Sequence, residues 1–125
     1  MKKSIQVVDD SAAILDVVKI ALEMADWEVS TSLTGACLQR MEHNLPDLIL
    51  LDVLLSGEDG RTICERLKGD EKTRNIPVIL LSAHVGLRKA VDECSANDFL
   101  AKPFRITDLR NIVKKYLSLS SATLL

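Results

Sequence analysis

Five residues with chemically active side chains stand at the ends of apolar runs. Asp9 and Asp10 follow Ile5-Gln6-Val7-Val8, Asp52 follows Leu48-Ile49-Leu50-Leu51, Ser82 follows Val78-Ile79-Leu80-Leu81, and Lys102 follows Phe99-Leu100-Ala101. The run at 48–51 has no solvent-facing side, so it reads as a strand buried on both faces, as in a parallel sheet covered by helices. In such a sheet all strands end along one edge, where ligands bind in open α/β folds. That edge would gather three carboxylates, a hydroxyl and an ammonium. Carboxylates this close repel one another, and each has its pKa raised unless a cation joins them. Lys102 offers one positive charge, and a hard divalent ion would supply more. Mg²⁺ suits the donor set because it takes one or two carboxylates, keeps several waters and completes its octahedron with a phosphate oxygen. The residue types point to a metal-phosphate site.

The elements that must hold these residues follow from periodicity. Residues 5–8 form a first strand. From 11 to about 25, Ile14, Val17, Val18, Ala21 and Ala25 fall at helical spacing, with Asp16, Lys19, Glu23 and Asp26 on the other face. Residues 27–32 alternate as a second strand, and Thr34 caps a helix that runs to about His43 and ends at Asn44-Leu45-Pro46. Residues 48–52 are the third strand, Leu54 and Leu55 resume the apolar run, and Gly57, Asp59 and Gly60 mark a loop. Ile63, Cys64 and Leu67 form the buried stripe of a helix that Gly69 stops. Residues 77–82 are a fourth strand, with Pro77 tolerated at its first position. Leu87, Ala90, Val91 and Cys94 mark a fourth helix, and 98–101 a fifth strand. The last helix starts near Thr107 as its cap and carries Leu109, Ile112, Val113, Tyr116 and Leu117 inward. Alternation of this kind predicts a doubly wound α/β fold with helices on both faces of a five-stranded parallel sheet. Residues 1–119 are expected to be one domain, with 120–125 a flexible tail or the stump of a link.

Composition narrows the function. The 125 residues are 47% hydrophobic and 27% charged, enough for one core without covalent staples. A net charge of -2 gives no field that would draw nucleic acid or an anionic membrane, so neither is expected as a direct partner. Cys37, Cys64 and Cys94 are odd in number, lack a paired spacing and each fall in a predicted helix, which argues against disulfides and zinc. The N-terminus lacks the apolar stretch of a signal peptide, and no run approaches the roughly 20 apolar residues of a membrane span. A cytoplasmic location is the expectation.

Taken together, Val8-Asp9-Asp10-Ser11, Leu51-Asp52, Gly57-Glu58-Asp59-Gly60, Leu81-Ser82-Ala83 and Asp98-Phe99-Leu100-Ala101-Lys102-Pro103-Phe104 resemble a CheY-like response regulator receiver domain, from Ile5 to about Leu117. The resemblance implies a flavodoxin-like (βα)5 fold with strand order 2-1-3-4-5. It implies that Asp52 accepts a phosphoryl group from a histidine kinase or phosphotransfer protein. Asp10 and Asp52 would then hold Mg²⁺ directly, Asp9 through a water, with the Leu54 carbonyl as a further ligand. It also implies that Ser82, Ala83 and Lys102 bind the phosphoryl group, with Lys102 acting as a point charge. Ser82 and Phe99 would form the switch, altering the face of the fourth helix, fifth strand and fifth helix where a target or a second copy binds. Such a chain is a signalling domain that catalyses only its own phosphorylation and dephosphorylation. The Lys102-Pro103 bond is expected to be cis. The pattern departs at Ser56, where proline is usual and whose loss would leave the loop less rigid. It departs again in the shorter segment from 82 to 102, and at Phe99, which lacks a tyrosine hydroxyl.

Taken singly, the same residues have ordinary readings: Asp9-Asp10 a helix-start acid pair, Asp52 a strand end, Lys102 a solvated lysine, Ser82 a turn hydroxyl. Their coincidence at matching strand ends favours the site. His84 is either an exposed loop histidine or a group controlling water access to the phosphoryl group, and His43 reads as a charge near a helix C-terminus. Trp27 reads as partly buried packing. Arg110, Lys114 and Lys115 form a basic stripe on the last helix, which Arg88 and Lys89 extend. The alternative function is a receiver-like adaptor that binds a partner without phosphorylation, against which the intact Asp9, Asp10, Asp52, Ser82 and Lys102 speak. A phosphatase for other substrates would need a second acid, and Asp52 is followed by Val53 and Leu54.

Overall fold

The computed structural model describes residues 2–39, 44–83 and 87–122, without the side chains at 87, 88 and 119–122. Along the chain run β1 (Ser4–Val8), α1 (Ala12–Glu23), β2 (Glu28–Ser32), α2 (Ala36–Gln39), β3 (Leu48–Asp52), β4 (Leu54–Leu55), β5 (Glu58–Asp59), α3 (Gly60–Gly69), β6 (Val78–Ser82), α4 (Leu87–Cys94), β7 (Asp98–Ala101) and α5 (Ile106–Ala122). The main sheet has the order β2-β1-β3-β6-β7 with every pair parallel, which is 2-1-3-4-5 counted over its own strands. This is the doubly wound architecture that the alternation of elements predicts, with the flavodoxin-like strand order that the resemblance implies.

The central strands are apolar throughout because both of their faces are covered. Alternation along β3 and β6 sends Ile49, Leu51, Val78 and Leu80 into one core with α3 and α4. Leu48, Leu50, Ile79 and Leu81 go into the other, with α1 and α5. All eight are fully buried, each worth about 1.5–3 kcal/mol relative to exposure. This two-sided burial fixes the register: Val8 lies opposite Leu51, Asp52 opposite Leu81 and Ser82 opposite Ala101. A slip of one residue would exchange the two cores. Main-chain bonds carry the alignment past the strand ends, from Val53 N–H to the Leu81 carbonyl at 3.0 Å and from Lys102 N–H to the Ser82 carbonyl at 2.9 Å.

Several boundaries differ from the periodicity. In α1, Ser11 is the cap, its hydroxyl accepting from Ile14 N–H at 3.3 Å, and the buried face is Leu15, Val18, Ala21 and Leu22. Val17, expected inward, is 52% exposed, because the 100° helical step turns it away from Leu15 and Leu22. The 57–60 loop is in part a hairpin, Leu54 pairing with Asp59 and Leu55 with Glu58, turned at Gly57 with φ of 76°. Gly60 opens α3 with Asp59 as cap, and Gly69 is the last residue of that helix, which ends as Asp70 turns extended. The last helix begins at Ile106, so Thr107 lies in its first turn rather than capping it, and it continues to Ala122 through part of the expected tail. His43 and His84 lie outside the described residues. Cys37, Cys64 and Cys94 are free thiols, the last two buried. Among the described residues no helix is long and apolar enough to cross a membrane.

One close approach sets the end of β3. Gly60 N–H donates to the Val53 carbonyl at 2.7 Å, and a Cβ at Gly60 would collide with the Asp52 carbonyl. Gly60→Ala is expected to lower unfolding free energy by about 1–3 kcal/mol, the cost of overpacking a site whose obstacle is backbone. Urea denaturation compared with the tolerant Gly69→Ala, whose Cβ meets nothing within 4 Å, checks this.

Candidate functional site

The strand ends converge as their register requires. Lys102 Nζ lies 2.7 Å from Asp9 Oδ2 and 3.5 Å from Asp52 Oδ2, bridging the ends of β1 and β3 from the residue after β7. Asp9 is fully buried, and its Oδ1 accepts from Ser11 N–H at 2.9 Å. Asp52 is 5% exposed, and its Oδ1 accepts from Leu54 N–H at 3.4 Å. Asp10 is exposed, its Oδ2 accepting from the Ser56 hydroxyl at 3.3 Å. Carboxylate oxygens of Asp9, Asp10 and Asp52 lie within 4.8 Å of one another. Asp52, Leu54, Ser82, Ala83 and Lys102 line a small cavity of about 240 Å³ beside them. The Lys102-Pro103 peptide that follows is cis, as the resemblance implied.

The charges do not balance. Three carboxylates meet one ammonium, and among the described residues Lys102 is the cation paired with them. Burial and then the neighbouring Asp9 charge push the Asp52 carboxyl above its ordinary value, with Asp10 adding to this; Lys102 and the Leu54 N–H only partly offset them. A cluster of oxygen donors with surplus negative charge, open to a cavity, fits a hard divalent cation.

The two expected switch residues occupy neighbouring strands. Ser82 is buried at the end of β6, while Phe99 on β7 is half-buried against the core on the α3–α4 side, opposite Leu80. Sequence periodicity missed what surrounds Phe99. Tyr116, expected only as an inward core residue, donates its hydroxyl to Asp98 Oδ2 at 2.8 Å and to the Asn97 carbonyl at 3.0 Å; Asp98 Oδ1 in turn accepts from Phe99 N–H at 2.8 Å. Burial and Asp98 push the Tyr116 hydroxyl up to about 12. Lys68 of α3 reaches Asn97 Oδ1 at 2.7 Å and the Ile76 carbonyl at 2.8 Å. The basic stripe on α5 also divides. Lys115 approaches Asp98 at 3.9 Å, whereas Arg110 Nε donates to the Ala21 carbonyl of α1 at 3.0 Å.

A family profile described as the response regulator receiver domain matches residues 5–114. The chain belongs to the response regulator receiver domain family. It is 39% identical over 116 residues to the DNA-binding dual master transcriptional regulator RpaA of Synechocystis, covering 90% of this chain and 48% of that protein. This receiver chain thus spans about half the length of that relative. Among solved structures, the CheY-like receiver domain protein from Methanospirillum hungatei superposes with a TM-score of 0.89 at 26% identity, covering 98% of this chain and 99% of that one. The receiver domain of sensor histidine kinase PA1611 from Pseudomonas aeruginosa, solved with a magnesium ion coordinated in its active site cleft, gives a TM-score of 0.85 at 26% identity, covering 94% and 99%.

A receiver that crowds acids in this way stores instability at its site. Because the folded-state pKa of Asp52 lies above its unfolded value, the folded state binds more protons between the two values. Stability therefore falls as pH rises through that window, and the whole deficit is present above it. Asp52→Asn removes the charge and is expected to raise unfolding free energy at neutral pH by about 0.5–2 kcal/mol, as other relieved functional sites do. Urea midpoints for the two proteins in chelator should converge as pH falls towards the ordinary carboxylate value of 3.8.

Proposed function

We propose that this receiver accepts a phosphoryl group on Asp52 from the phosphohistidine of a histidine kinase or phosphotransfer protein. The observation that carries the reading is the convergence of Asp9, Asp10 and Asp52 oxygens within 4.8 Å of one another, with Lys102 Nζ against Asp9 and Asp52. Asp52 Oδ attacks phosphorus in line, forming an O–P bond as the P–N bond breaks; the electron pair stays on the donor imidazole, which takes up a proton. Transfers of this kind depend on positioning and charge neutralisation.

Lys102 is poised to exchange its bond to Asp52 for one to a phosphoryl oxygen while keeping Asp9. Asp10 and Asp52 would hold Mg²⁺ directly and Asp9 through a water, with the Leu54 carbonyl as a further ligand; when bound, the ion neutralises charge on the phosphoryl oxygens. The magnesium ion in the PA1611 receiver cleft supports this reading. Asp9 is already committed to Lys102 and Ser11 N–H, which suits the indirect role.

Ser82 and the Ala83 backbone complete the phosphoryl cradle. The Ser82 hydroxyl turns to the phosphoryl group and the Phe99 ring moves into the space it leaves. Phosphorylation thereby biases a two-state element on the α4–β7–α5 face, which meets a downstream target or a second copy of the chain. The Asp98–Tyr116 contact ties Phe99 to α5, so ring and helix report together. The histidine kinase or phosphotransfer protein, the downstream target and Mg²⁺ are the partners and cofactor this reading requires.

Intact mass after incubation with acetyl phosphate should show one phosphoryl adduct in Mg²⁺, little in chelator, and none for Asp52→Asn in either condition. An adduct of normal yield on Asp52→Asn would move the acceptor elsewhere. Absence of an adduct on the wild type with a beryllofluoride mimic also failing to bind would leave the phosphorylation-independent adaptor.

A further inference from the structure

A second cleft lies at the N-terminal edge of the sheet, away from the strand-end acids, between the end of α1 and α5. Its volume is about 660 Å³, inside the range of sites that enclose small ligands. Lys3, Trp27, Arg110, Asn111 and Lys114 line it, and among the described residues no carboxylate does. The side chains of Lys3 and Lys114 make no ion pair or hydrogen bond among the described residues. Arg110 makes one: Nε donates to the Ala21 carbonyl at 3.0 Å, which holds the guanidinium at the wall of the cleft. Three unit positive charges therefore face one space in a chain whose net charge is -2. The C-terminal end of α1 offsets them by only about half a charge.

Cations that serve merely to solvate a surface are usually interspersed with acids. The exposed Asp26 and Glu28 flank Trp27, and Asp26 is taken by Lys2 at 3.2 Å. Lys3, Arg110 and Lys114, in contrast, pair with no acid among the described residues and are gathered around Trp27, half-buried against the core and the one tryptophan of the chain. A flat indole beside lysines and an arginine offers stacking for a planar ring and charge-assisted hydrogen bonds for phosphate oxygens. The Asn111 amide adds both donors and an acceptor for the edge of such a ring. An acidic peptide would use the cations but not the indole face.

We propose that this cleft binds a nucleotide, its phosphates on Lys3, Arg110 and Lys114 and its base against Trp27. The ligand would bridge the α1–β2 turn and the start of β1 to α5 independently of Asp52, giving the receiver a second chemical input on a helix of its output face.

The test is a titration of the ¹⁵N-labelled chain, in chelator so that no metal draws phosphates to the acid cluster. The probes are ATP, GTP, tripolyphosphate, adenosine and a glutamate-rich peptide. Saturable shifts of the single Trp27 indole N–H and the Asn111 side-chain amide by ATP or GTP, with the amides of Asp52, Ala83 and Lys102 unmoved, are the expected result. The double variant Lys3→Ala, Lys114→Ala, whose spectrum reports that the fold is kept, should weaken that binding by about tenfold or more. No Trp27 shift with either nucleotide at millimolar concentration would overturn the proposal. So would tripolyphosphate binding as tightly as ATP, or binding of the peptide alone.

Discussion

One ammonium holds the site together. Lys102 Nζ touches carboxylates from two different strands, and without it Asp9 and Asp52 would be buried like charges at the ends of β1 and β3. That single contact requires the rest of the fold to be in register. β1 must lie beside β3, β6 must separate β3 from β7, and β7 must end level with Ser82. Two-faced burial of β3 and β6 supplies the rigidity for this, because a shifted strand would move its large aliphatic side chains into the wrong layer. Apolar cores on either side of the sheet are thus what make a polar constellation at its edge possible.

Incomplete neutralisation is the complementary feature. A site built for stability alone would match its acids with cations or replace them. This one leaves surplus negative charge beside a small cavity, so the groups that would complete it come from outside the chain. The Asp98–Tyr116 and Lys68–Asn97 bonds lie at the other end of β7, where they stiffen the strand that carries Phe99. Charge instability at one end of β7 and hydrogen-bonded anchoring at the other are separated by only the four residues of that strand.

Much of this is legible in the residues. Val78-Ile79-Leu80-Leu81 cannot form a surface strand, so its end and that of Leu48-Ile49-Leu50-Leu51 had to share an edge. Asp9, Asp10, Asp52, Ser82 and Lys102 could be brought together from a parallel sheet alone, whose strands all end on one edge. Details governed by helix phase were harder. Val18 and Ala21 lie inward as their spacing predicts, but Val17 does not, and the buried face of α1 is completed by Leu15 and Leu22, which the periodic count passed over. Bonds that side chains make to groups far apart in sequence left no local trace: Ser56 to Asp10, Tyr116 to Asp98 and Arg110 to the Ala21 carbonyl arise from packing, not from spacing. The gathering of Lys3 with Trp27 and Lys114 is of the same kind, since 111 positions separate the two lysines.

The close fit of Gly60 under the Asp52 carbonyl has a consequence for how such a receiver can diversify. Side-chain change on that side of Asp52 is closed, because any Cβ at Gly60 meets main chain. Leu54 and Ala83, in contrast, line the cavity from exposed positions, Leu54 at 51%. Change is therefore steered to the outer rim of the pocket, where side chains can be exchanged at little cost to the core, while the main chain at the end of β3 tolerates none.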